Sequence, residues 1–157
     1  MESTGALRAM EALVQAGFKI RVRVADQNAM VDKKLRESDL LKDIEALWDW
    51  WHVIKPIKKL MKRPDCTILS EWYQDFINHM YYINKKFPDR KDRPLALEYV
   101  RSFLMHCQGK HKWRKPDSAA YKAIENMLYS KKFEKSFLKA SSEIDTSINE
   151  SFHSLSL

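Results

Sequence analysis

Apolar positions along most of the chain recur with the helical period. Leu7, Met10, Leu13 and Val14 predict a helix over residues 2–16, which Gly17 ends. The next segment changes period. In FKIRVRVAD, Phe18, Ile20, Val22 and Val24 alternate with Lys19, Arg21 and Arg23, the clearest strand signal in the chain, ending at Asp26. A second helix is predicted from Asn28 to about Arg36. The stretch Ile44–Trp48 is short, apolar and poorly periodic, and reads either as a second strand or as the start of a helix. From Trp51 to Arg63 the pattern is helical again, with a basic face of Lys55, Lys58, Lys59, Lys62 and Arg63. Pro56 is expected near the first turn, where proline is tolerated.

Pro64 and Asp65 interrupt the chain. An amphipathic helix follows, its stripe formed by Leu69, Trp72, Phe76, Met80 and Ile83. Residues 87–94, FPDRKDRP, form a polar loop. A further helix is predicted from about Leu95 to His106, with Leu97, Val100, Phe103 and Leu104 facing inward. QGKHKWRKPD is a second, basic loop, after which Asp117 or Ser118 caps a helix that turns Tyr121, Ile124 and Leu128 inward. The last residues, from about Ile148, read as helical. One strand, or two, thus stands among six or seven helices. A lone strand carries unpaired backbone on both edges and is not stable alone. The chain is therefore expected to be part of a larger architecture, or to pack that strand as an irregular edge.

Composition fits this picture. In 157 residues there are 3 glycines and 5 prolines, too few turn formers for a many-stranded fold. The length suits one domain. Two cysteines, Cys66 and Cys107, do not make a disulfide framework, and reduced thiols in a nuclear or cytoplasmic protein are expected. No stretch has the length of a membrane span, and the N-terminus lacks the basic and apolar regions of a secretory signal. The net charge of +7 favours polyanionic partners, nucleic acid first.

Strong chemical motifs are missing: there is no Gly-rich phosphate loop, paired CxxC or HExxH. Asp26 follows the best strand, where a carboxylate either serves a divalent-ion site or caps the next helix. Asp49 and His52, in D-W-W-H, reach the same place if Ile44–Trp48 pairs with the first strand; otherwise Asp49 is a helix cap. Glu150 lies three residues after Ser147, the spacing of a capping box, with His153 on nearly the same face. His106, Cys107 and His111 crowd together, and Cys107 to His111 has the spacing of one half of a zinc site, without a second pair. His79 flanks an apolar helix face and reads as a partly buried histidine. Lys110, Lys112, Arg114 and Lys115 surround Trp113, a combination suited to phosphates and a stacked base, or to a solvated loop anchored by its tryptophan.

Taken together, V-A-D-Q, D-W-W-H, E-W-Y-Q-D-F-I-N-H, H-C-Q-G-K-H-K-W, K-P-D-S-A-A-Y-K-A-I and N-E-S-F-H-S, with M-E-x-x-G near the start, give a series that resembles a known family. It is similar, over nearly the whole chain, to the C-terminal part of the catalytic core of DDE-type transposases. These are eukaryotic transposon-derived proteins of the Mutator-like and related groups. The resemblance implies a mainly α fold with a small β element, a partial RNase H-like α/β core carrying a large helical insertion. It implies core elements in residues 1–52, the insertion in 53–140 and the start of a Glu-bearing helix in 141–157. It assigns Asp26 as the second catalytic carboxylate, although Ala25 replaces the usual small hydroxyl residue, and Glu150 as the third. Asp49, His52 and His153 are accessory. Reactions of this class use two Mg²⁺ or Mn²⁺ ions held by three carboxylates. The first Asp, and the strand that bears it, have no counterpart in these residues. The expectation is a catalytically silent remnant, or one that acts only with a missing N-terminal segment, that binds no ion stably by itself; DNA, the missing segment or a homo-oligomer are the expected partners. A non-enzymatic basic helical module, binding nucleic acid or another protein, is the alternative.

Overall fold

The computed structural model describes residues 2–110 and 118–142. Helix α1, Glu2–Gln15, ends at Gly17, whose φ of 92° suits a residue without a Cβ. Strand β1, Val22–Ala25, then leads through Asn28 into helix α2, Ala29–Glu37. The Asn28 side chain accepts the Val31 N–H at 3.2 Å and so caps α2. Strand β2, Glu45–Trp48, pairs with β1 in parallel, with Val22 opposite Glu45 and Ala25 opposite Trp48. The ambiguous stretch at 44–48 is therefore a strand; four residues are too few for period to decide it, and the partner decides instead. β1 is shorter than the alternation from Phe18 suggests, because β2 extends only far enough to pair with Val22–Ala25.

Helix α3, Trp50–Met61, begins directly after β2. Pro56 lies inside α3 rather than in its first turn. It has no N–H, so the bond that position would make to the His52 carbonyl is missing. The stripe Leu69–Ile83 is divided: a 3-10 helix covers Pro64–Trp72, and helix α4 covers Tyr73–Lys86. A short 3-10 turn at Arg90–Asp92 precedes helix α5, Arg93–Lys110. Helix α6, Ala119–Leu128, is capped by Ser118. Helix α7, Lys131–Lys139, is capped by Ser130, and its Phe133 and Phe137 are buried on one face.

The described residues form two apolar clusters. The smaller joins Leu7 on α1, Val31 and Leu35 on α2, and Leu41 and Ile44 before β2. The larger runs from Trp50 to Ala140 and joins α3–α7 around Ile54, Phe76, Met80, Val100, Leu128 and Phe137. The strands connect them. After α7 the chain returns to β2: Trp48 and Ala140 form a parallel bridge, and the Ser141 N–H donates to the Trp48 carbonyl at 2.9 Å.

Two buried charges hold this joint. Asp32, on α2, accepts the Trp48 indole N–H at 2.9 Å and lies 3.5 Å from Lys139 Nζ and 3.7 Å from an Arg23 Nη. Arg93 donates to the Ala140 carbonyl at 2.8 Å, and its guanidinium lies 5.6 Å from the Trp50 ring centre and 5.3 Å from that of Phe137. Burial, reinforced by nearby Arg90, lowers the Arg93 pKa to about 10.

Candidate metal centre and basic groove

Parallel pairing brings the C-terminal ends of β1 and β2 together, and Asp26 and Asp49 are the first residues beyond them. Ligands of open parallel sheets gather at this end of the strands. The Asp49 N–H donates to the Ala25 carbonyl at 3.0 Å, fixing the two chain ends side by side.

Asp49 is buried and uses both carboxylate oxygens. Oδ1 accepts the Trp51 N–H at 3.2 Å, capping α3. Oδ2 lies 3.4 Å from His52 Nδ1. The same nitrogen lies 3.3 Å from Asp26 Oδ1. The cap reading and the site reading of Asp49 thus hold at once. For Asp26 they separate: the cap of α2 is Asn28, and Asp26, with 70% of its side chain exposed, is free of that duty.

Asp26, Asp49 and His52 each offer a ligand atom, and these atoms lie within 4.8 Å of one another. An octahedral ion with bonds of about 2.1 Å places adjacent ligands about 3 Å apart, so the separations here need little closure. The donors fit a divalent ion. Two carboxylates with one imidazole suit Mn²⁺ or Zn²⁺ better than Mg²⁺, which prefers an all-oxygen shell. Among the described residues this is the one group of three acidic or metal-ligating side chains so arranged.

A groove of about 410 Å³ begins at His52 and Gln27 and runs between α3 and α7. Lys55 and Lys59 line one wall and Lys132 the other, with no carboxylate among the lining residues. Pro56 also lies on it. The other two lysines of the α3 basic face are not among the groove's lining residues: Lys58 Nζ sits 5.6 Å from the Trp51 ring centre, and Lys62 follows the last helical residue.

Glu150 and His153 lie outside the described residues, as do His111, Lys112, Trp113, Arg114 and Lys115. Lys110 is the last described residue of α5, a helix that also carries His106 and Cys107. His79 Nε2 is 3.1 Å from the Tyr99 carbonyl, between α4 and α5, a packing contact. Cys66 is a buried free thiol whose pKa burial pushes up.

Sequence reasoning missed Lys132 because it missed α7. Its signals were present: Ser130 as cap, and Phe133 and Phe137 one turn apart. Asp32 and Arg93 carry no such signal, since a charged residue on a helix normally faces water.

Searches against protein-family models, curated proteins and solved structures find no match to this chain.

Proposed function

We propose that the chain is part of a transposase-derived RNase H-like core. In this reading Asp26, Asp49 and His52 together hold a divalent ion that Asp26 and Glu150 alone were expected not to hold stably, DNA lies along the groove beside it, and the 157 residues alone do not cleave DNA. One observation carries the reading: a parallel strand–helix–strand unit places a carboxylate after one strand against a D-x-x-H pair after the next. That is the relation expected from the resemblance, reached by the fold from residues far apart in the sequence.

The roles follow from the geometry. Asp26 is the exposed ligand and faces solvent, where a phosphate approaches. His52 connects it to Asp49, and Asp49, held by the α3 backbone, fixes the imidazole in place. A bound divalent ion would supply Lewis-acid stabilisation of phosphate charge. Lys55, Lys59 and Lys132 would neutralise a phosphodiester backbone passing the site. Asp26 and Glu150 are two of the three carboxylates the family's reaction employs, so binding without turnover is the expected behaviour of these residues.

Calorimetric titration with Mn²⁺ tests the first part. Binding that disappears in Asp26→Ala supports it, and binding unchanged in that variant rejects it. Incubation with a labelled DNA hairpin and Mn²⁺ tests the second. Cleavage abolished by both Asp26→Ala and Glu150→Ala would overturn the claim of inactivity. The second reading, a basic binding module without a metal role, is favoured by the groove alone. It is the conclusion if DNA binds and Mn²⁺ does not.

A further inference from the structure

Among the described residues, the β1–β2 ladder leaves one edge of the sheet open. The Glu45 N–H donates to the Arg21 carbonyl and the Asp49 N–H to the Ala25 carbonyl, both at 3.0 Å. In a parallel ladder the bonding residues alternate, so Arg21, Arg23 and Ala25 turn their backbone groups toward β2. Val22 and Val24 turn theirs the other way. On β2 the corresponding outward residue, Trp48, is met by Ser141 and Ala140. On β1 no described residue hydrogen-bonds the outward backbone groups of Val22 or Val24, and Val22 stays 41% exposed. Two donors and two acceptors therefore stand in a row beside an apolar side chain, the arrangement that accepts an added strand.

Charge selects the occupant. Lys19 and Arg21 are exposed just before Val22, while Arg23, between Val22 and Val24, is half-buried and paired with Asp32. A second copy of β1 would bring these cations against their own kind, the device by which edges resist self-pairing. A phosphate backbone has only acceptors and cannot use the Val22 and Val24 carbonyls. We propose that the β1 edge binds an extended peptide segment of a partner protein. Its apolar residues lie beside Val22 and Val24, and its carboxylates face Lys19 and Arg21. The inference does not rest on the metal and DNA reading, and it competes with that reading's larger core for this edge: a strand supplied by a preceding segment of the same protein that blocks peptide binding would overturn it.

A fluorescein-labelled peptide of alternating valine and glutamate, titrated by anisotropy, is the test. Three further probes accompany it: an alternating valine–lysine peptide, a valine–glutamate peptide N-methylated on one edge, and the variants Val24→Pro and Arg21→Glu. Proline at position 24 removes an outward N–H and spares the β1–β2 ladder. The acidic peptide is expected to bind in preference to the basic one. N-methylation and Val24→Pro are each expected to weaken it about ten-fold or more, the scale of a lost backbone bond. Arg21→Glu, which leaves Lys19 beside a carboxylate, is expected to abolish the charge preference, and an unchanged preference for the acidic peptide overturns the proposal. Equal binding of the N-methylated peptide to the unaltered chain overturns the proposal whatever the proline variant does. So does no binding of the acidic peptide at concentrations up to about 1 mM. Concentration-dependent protection of the Val22 and Val24 amides without peptide also overturns it, because the occupant would then be a second copy.

Discussion

Asp49 and Asp26 are neighbours with opposite obligations. Asp49 is buried, caps α3 and contacts His52. Asp49→Ala is therefore expected to lower unfolding free energy by about 1–2 kcal/mol, the range for a lost N-cap, read by urea denaturation. Asp26 is mostly exposed, and Asp26→Ala is expected to change stability by no more than about 0.5 kcal/mol while removing Mn²⁺ binding. A large stability loss in Asp26→Ala would show that its pairing with His52 is structural. Cys66 belongs to the same scale. Burial raises its thiol pKa and so lowers its thiolate fraction at neutral pH. Site-resolved alkylation is expected to label it far more slowly in the folded chain than in urea.

Among the elements, α2 and α3 carry the sharpest consequences. Asp32 sits between Arg23, Trp48 and Lys139 and joins β1, α2, β2 and the end of α7. Asp32→Ala strands two cations in the joint and is expected to cost about 3 kcal/mol or more. Glu37→Ala breaks the exposed Lys33–Glu37 pair on the same helix and is expected to cost no more than about 0.5 kcal/mol. Thermal melts of the two variants make the comparison. In α3, Pro56→Ala restores a backbone donor in the helix interior. It is expected to stabilise the chain by about 1–3 kcal/mol. If that variant is no more stable, the helix is already relaxed around the proline. Most of α1–α6 was legible in the sequence because their apolar stripes are long. Ser118 as cap and Tyr121, Ile124 and Leu128 as inward positions stand where the pattern put them. Pro56 was misplaced because the sequence shows a proline without showing where its helix starts. The stripe through Leu69 gave a single helix because 3-10 and α geometry place the same residues inward over one or two turns.

For the molecule as a whole, the mainly helical architecture with a small β element was readable, but not that the element is a two-stranded parallel sheet. The meeting of Asp26, Asp49 and His52 was readable only as a condition on whether 44–48 formed a strand. Pairing is non-local, and four apolar residues do not announce their partner. The groove was half legible: Lys55 and Lys59 stand out on a basic helix face, whereas Lys132 is brought opposite them by tertiary packing. Its charge gives a whole-molecule prediction. DNA affinity is expected to fall log-linearly with salt, and each lysine replaced among Lys55, Lys59 and Lys132 is expected to reduce the slope by about 0.9. An unchanged slope in the triple alanine variant would move the DNA contact elsewhere.

The return of the chain to β2 has a consequence for how such a protein can change over time. α3 leaves from the end of β2, and Ala140 and Ser141 come back to the outer side of that strand. Everything between departs and arrives at one place, so the segment is a closed excursion from the sheet. Doubling the length of a closed flexible loop costs only about 0.6 kcal/mol. The loops that join the helices between α3 and α7 can therefore be lengthened at little cost, whereas the helices themselves carry the larger apolar cluster and change only together with their packing partners. The ends of β1 and β2, with Asp26 and Asp49 on them, would stay where they are.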